Sequence, residues 1–108
     1  MLFRFFKQIS APNIFSKAVA HYKQGQYQIA KPLLIKSRQW MPTFEENPLF
    51  QAILLLCDHH LGSICDMDQL KAVLETLQIC PHKDTADYTF VISDIEQILA
   101  TFPPADSL

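Results

Sequence analysis

Glycine is scarce in this chain of 108 residues, which contains only Gly25 and Gly62. This scarcity disfavours β-rich folds, which need many tight turns, and glycine-rich phosphate loops. Long apolar runs are also missing. The longest, from Leu49 to Cys57, is interrupted by Gln51 and falls far short of the roughly 20 residues that span a bilayer as a helix. The composition favours a helical protein without a transmembrane segment.

The chain also lacks the cysteine pattern of a disulfide scaffold. Its three cysteines, Cys57, Cys65 and Cys80, are an odd number without regular spacing. Small secreted domains normally carry an even and denser set. We therefore expect reduced thiols with a structural role and a cytoplasmic location.

Acidic residues are absent from the first 44 positions, which hold seven Lys or Arg. The remaining positions hold all eleven acids and, as basic residues, only Lys71 and Lys83. This asymmetry is compatible with an acidic partner, an anionic membrane, a homo-oligomer joined through the two halves, or two halves folded against each other. The sequence leaves these interpretations open.

Proline, glycine and capping residues predict an all-α fold and a single domain over residues 1–108. An amino-terminal aromatic and basic segment, residues 1–11, contains a short helix at 2–8 that ends before Pro12. Asn13 is expected to cap the next helix. The predicted units that follow are a helix pair at 13–42, a second pair at 47–82, a carboxy-terminal helix at 84–102 and a loose tail at 103–108. Short connections predict antiparallel neighbours.

The most specific pattern lies between residues 13 and 42. Ala18 and Ala30 are small where two helices would cross, Gly25 permits a tight turn, and Pro42 ends the pair. The full pattern comprises Ala18, Tyr22-Lys23-Gln24-Gly25-Gln26-Tyr27, Ala30, Leu34, Ser37 and Pro42. Residues 13–42 thus resemble one tetratricopeptide repeat (TPR), although Lys17 and His21 depart from its usual apolar and aromatic positions.

The resemblance implies a decayed second repeat at 47–82, a short right-handed array, and the carboxy-terminal helix as its cap. In this family the first helix of each pair lines a concave groove that holds a peptide or helix of another protein. The positions that correspond to the groove are Phe15, Val19, Tyr22, Lys23, Ala52, Leu56, His59 and His60. The alternative is that the chain's own amino-terminal segment or final helix covers these positions.

The functional prediction is a protein-interaction module without catalytic activity or cofactor. In size and layout the chain is similar to the small TPR-like chaperones of bacterial secretion systems, so an adaptor or chaperone is expected. The basic half carries no base-stacking motif, and nucleic-acid binding is not expected. The aromatic and basic residues 2–7 could make weak contact with a membrane, but they offer little area.

A metal- or thiol-dependent function is the alternative from the chemistry of the side chains. Cys57 and His60 are three residues apart on a predicted helix, and Cys80 and His82 could supply two further zinc ligands. No CxxC or HxxxH pair accompanies them. Cys57 also ends an apolar run, where a cysteine is usually a buried core residue.

Overall fold

Five α-helices make up most of the chain in this computed structural model, which describes residues 2–63 and 66–101, with side chains from residue 12 onward. The elements are α1 (Leu2–Lys23), α2 (Tyr27–Trp40), a short 3₁₀ helix (Pro42–Glu46), α3 (Pro48–His60), α4 (Met67–Gln78) and α5 (Ala86–Thr101). The described ranges contain no β-strand. The predicted all-α fold class is confirmed. The predicted tail at 103–108 lies outside the described residues.

The amino-terminal helix differs from the prediction. We expected a helix at 2–8 to end before Pro12 and a new one to be capped by Asn13, but α1 runs without a break through both residues. A proline inside a helix loses one backbone hydrogen bond and crowds the preceding turn. Here the helix continues on both sides of Pro12, so the proline did not mark a boundary.

Glycines with positive φ and side-chain caps form the connections after α1. Gly25 has φ +77° in the turn between α1 and α2, and Gly62 has φ +94° after α3; this left-handed region is strained for residues with a Cβ. The Asn47 side chain accepts hydrogen bonds from the backbone N–H groups of Leu49 and Phe50 at 2.9 and 3.2 Å. Asn47 and Asp66 are the N-caps of α3 and α4.

Helix α3 is central to the packing. It contacts α1, α2, α4 and α5, and each α-helix contacts its neighbour along the chain. We call α1, α3 and α5 the inner layer, because α3 joins the other two directly. One cluster of buried apolar residues runs through all five α-helices. The antiparallel, right-handed stacking that the TPR resemblance implies stays a prediction.

The basic and acidic parts of the chain are joined by ion pairs. Lys23 pairs with Asp87. Two further ion pairs of this kind are Lys31 with Asp58, at 2.5 Å between Nζ and Oδ1, and Arg38 with Glu45, at 3.7 Å between Nε and Oε1. Of the five basic residues before position 45 whose side chains the structure describes, three therefore pair with acids from position 45 onward. Two of these pairs, those of Lys23 and Lys31, join different helices and are compatible with two halves folded against each other.

Candidate functional site

Four of the eight predicted groove residues belong to the core. Val19, Tyr22, Ala52 and Leu56 are at most 5% exposed. The expectation that they line an open groove is therefore wrong for these four. The physical reason is α5, which packs on α3 and reaches the end of α1. The final helix covers the face that the TPR resemblance assigns to a partner.

The other four predicted groove residues lie at the margin of this core. The Phe15 ring is half-buried beside Phe44 and Phe50, with ring centres 5.1 and 5.9 Å away. Lys23 lies on the inner layer at its ion pair with Asp87. His59 and His60 are neighbours at the end of α3, with ring centres 5.4 Å apart.

A polar cluster closes the inner layer where α1, α3 and α5 meet. The Tyr22 hydroxyl donates a hydrogen bond to Asp94 Oδ2 at 2.5 Å. His60 Nε2 lies 3.1 and 3.2 Å from the two oxygens of the same carboxylate, whose side chain is only 15% exposed. The Tyr27 ring stacks on His60 at 4.3 Å between ring centres. We call these four residues the inner clasp.

The environment of the inner clasp keeps its tyrosines neutral. Burial is the largest cause that raises the pKa of Tyr22, followed by the hydrogen bond to Asp94 and the charge of that carboxylate. Burial and the Asp94 charge also raise the pKa of Tyr27. A tyrosine with a raised pKa donates its proton in a hydrogen bond and is a poor general base. The clasp is therefore suited to joining helices.

A small pocket of about 230 Å³ lies beside α1 and the start of α5, and it is lined by Phe15, Ser16, Val19, Ala20, Lys23 and Asp87. Three predicted groove residues thus lie together beside α5. The pocket is smaller than the 300 to 1,000 Å³ typical of small-ligand sites. It offers little room for a partner helix.

The metal or thiol alternative finds no support in the geometry. No group of three or more His, Cys, Asp or Glu side chains in the described part of the chain is placed to hold a metal ion. Cys57 is fully buried, and burial together with the charge of Asp58 raises the pKa of its thiol to about 12. His60 contacts Asp94. Cys57, His60, Cys80 and His82 therefore do not form the predicted zinc site.

A large open depression lies on the side of α2 that faces away from its buried residues. We call it the α2 groove; its volume is about 610 Å³, and its lining residues are Gln28, Lys31, Pro32, Ile35, Lys36, Gln39, Trp40 and Leu61. A second depression of about 300 Å³, lined in part by Tyr27, Ile29 and His60, adjoins it and shares Gln28 and Leu61. Ile29 is 47% exposed there.

The sequence reasoning missed the α2 groove, although a signal was present. The buried face of α2 is formed by Ala30, Leu34 and Ser37. Ile35 and Trp40 lie off this face, so two large apolar side chains are placed where an amphipathic helix usually carries polar ones. Such displaced apolar residues indicate either a second packing contact or a binding surface.

Among the described helices, none combines the length and apolar character needed to cross a lipid bilayer. The side chains of residues 2–7, where weak membrane contact was expected, lie outside the described part of the chain. No protein-family model, curated protein or solved structure matches the chain.

Proposed function

We propose that this chain is a protein-interaction module, an adaptor or chaperone of the cytoplasm, that holds a peptide or helix of another protein. The observation that carries the proposal is the α2 groove. It is open to solvent and lined by Pro32, Ile35, Trp40 and Leu61, a concentration of apolar and aromatic side chains that favours protein contacts.

The proposed docking surface is not the face that the TPR resemblance implies. Tyr22 and Leu56 are core residues, so a charge at either position would unfold the domain before it could report on binding. The groove offers better probes because its side chains lie at the surface of α2. Substitutions there can change binding while the core stays intact.

The test is affinity capture of the tagged full chain from its native lysate, with mass spectrometry of the retained proteins. We expect a stoichiometric partner that Ile35→Glu releases. Ile79→Glu is the matched control, because Ile79 is 84% exposed and is not one of the groove-lining residues. A wild-type chain that retains no stoichiometric partner, from lysates prepared at low and high salt, contradicts the proposed function.

A further inference from the structure

The α2 groove follows one stripe of a helix. Seven of its eight lining residues come from α2, at positions 28, 31, 32, 35, 36, 39 and 40, and the eighth, Leu61, follows α3. The spacing of three and four residues places them along a single face. From Gln28 to Trp40 this face extends about 18 Å at 1.5 Å per residue. A partner helix of three turns fits that length.

The charges at the groove are of one sign. Its only charged lining residues are Lys31 and Lys36. The Lys31 ammonium group is paired with Asp58, whereas Lys36 Nζ lies over the Trp40 ring, 4.9 Å from its centre. Lys36 therefore presents a positive charge directly beside the apolar floor of the groove. A carboxylate on a docked helix would meet this charge with little rearrangement.

A second copy of the chain fits this surface poorly. A helix that docks in a groove must offer an exposed apolar stripe. Helices α4 and α5, which carry half of the acids of the described chain, bury Leu70, Val73 and Leu77 and Val91, Ile95 and Ile98 in the chain's own core. The only exposed large apolar side chain described on these two helices is Phe90, at 42%, and its ring already contacts that of Tyr22, 5.5 Å away between centres. In the described residues, α4 and α5 therefore offer a neighbouring copy no stripe of exposed apolar side chains.

We propose that the α2 groove binds an acidic amphipathic helix of a partner protein. The apolar face of that helix lies against Ile35 and Trp40, and one of its carboxylates pairs with Lys36. This inference rests on the proposed function and deepens it by naming the surface and the chemistry of the ligand. A partner held by any other face of the chain leaves the proposed function intact and removes the inference.

The test uses Trp40, the only tryptophan of the chain, as a reporter inside the groove. The probe is a synthetic peptide of about 15 residues, long enough for some helix in water, with leucines along one face and glutamates beside them. Titration of the full chain with this peptide is expected to give a saturable change in Trp40 fluorescence. A peptide with lysine in place of every glutamate is expected to bind at least about tenfold more weakly.

Two variants test whether Lys36 supplies the positive charge that favours the acidic peptide. Lys36→Glu is expected to weaken the acidic peptide about tenfold and to improve binding of the lysine peptide, since it reverses the charge beside the groove. Lys71→Glu is the matched control, because Lys71 is an exposed lysine on α4. This variant is expected to leave the affinities for both peptides unchanged. Circular dichroism of each variant checks that the fold is retained.

Several outcomes overturn the inference. They are equal affinity for the two peptides, binding that Lys36→Glu does not change, and no saturable signal with the acidic peptide up to about 1 mM. A concentration-dependent Trp40 signal without peptide, together with dimers in sedimentation analysis, assigns the groove to a second copy instead. If capture retains a partner that Ile35→Glu does not release, the chain is an interaction module that uses another surface.

Discussion

The face that the inner clasp closes and the α2 groove differ in their exposure to solvent. The face with the TPR-like groove positions is closed by α5, and its central residue, Tyr22, is 1% exposed. The outer side of α2, which carried no functional expectation, is concave and apolar. Helical periodicity identifies residues that share a face, but it does not say whether another element covers that face. Substitutions on the covered face and at the α2 groove should therefore differ in their effect on stability.

The largest effect is expected for a charge placed in the closed face. Leu56→Asp removes a fully buried leucine of α3 and leaves a carboxylate in the core, which should cost more than about 4 kcal/mol. Because small domains are stable by only about 5 to 15 kcal/mol, most of the helical signal should be lost. Circular dichroism with urea titration measures this loss.

Ile29→Asp is the matched control for Leu56→Asp. Ile29 is 47% exposed beside the α2 groove, so a carboxylate there stays hydrated and should change the unfolding free energy by less than about 1 kcal/mol. Equal destabilisation by the two substitutions would contradict the burial of Leu56 under α5 and the exposure of Ile29 beside the α2 groove.

The reactivity of the cysteines tests the difference between the buried core and the surface of the fold. At pH 8 we expect Cys57 to react with a thiol reagent at least about a hundredfold more slowly than Cys80, because the attacking species is the thiolate. Cys57 is fully buried with a pKa of about 12, whereas Cys80 is half-buried. Peptide mapping after timed labelling separates the two sites. Similar rates would show that the core opens readily.

Alkaline pH should destabilise the folded chain. The pKa of the Cys57 thiol is raised from 9.0 to about 12, and that of Tyr88 from 10.0 to about 12, mainly by burial. Their neutral forms therefore favour the folded state. This stability is fully present below pH 9 and is lost as the pH rises toward 12. The urea midpoint of unfolding should fall over that range. A constant midpoint from pH 8 to pH 11 would contradict the raised pKa values of these two groups.

A smaller effect is expected within the inner clasp. Tyr22→Phe keeps the ring but removes the hydroxyl that donates to Asp94. A hydrogen bond to a charged group contributes about 1.5 to 3 kcal/mol, so the folding equilibrium constant should fall roughly thirtyfold for a loss of about 2 kcal/mol. Tyr27→Phe is the control, since it keeps the ring stacked on His60. Comparable losses in the two variants would show that the Tyr22 hydroxyl has no special role.

The smallest effect is expected at the ion pair of Lys23 with Asp87, whose side chains are 30% and 46% exposed. Lys23→Gln should cost less than about 1 kcal/mol, because exposed ion pairs are well screened by water and salt. Lys17→Gln, at an exposed position of α1, serves as control. A larger cost that persists at high salt would mean that the pairing of basic and acidic halves holds α5 in place.

Local chemistry explains which parts of the fold the sequence could predict. Helix α2 lies within the predicted pair at 13–42, and α3 and α4 lie within the predicted pair at 47–82. Gly25, Gly62, Asn47 and Asp66 act on the backbone next to them, so the turns and caps can be predicted locally. Pro12 was misleading for a related reason. Its usual local effect is to end a helix, but α1 continues through it.

The candidate site was harder to predict because its closure depends on distant contacts. The partners Tyr22 and Asp94 are 72 residues apart, and no periodicity within either helix reports their contact. Phe15, Val19 and Lys23, three of the predicted groove residues, do line one pocket, but their role in binding stays a prediction. The α2 groove depends on Leu61, which follows α3, as well as on α2, so no single segment contains the whole pattern.

The separation of 72 residues between Tyr22 and Asp94 also has a consequence during protein synthesis. A ribosome that adds 5 to 20 residues per second needs about 4 to 14 seconds to make the chain between them. During that interval α1 to α4 can assemble through neighbouring contacts, while the surface around Tyr22 still lacks α5. The nascent protein therefore briefly displays an apolar face that the finished protein hides, and a factor acting at the ribosome would meet a different molecule from one acting later.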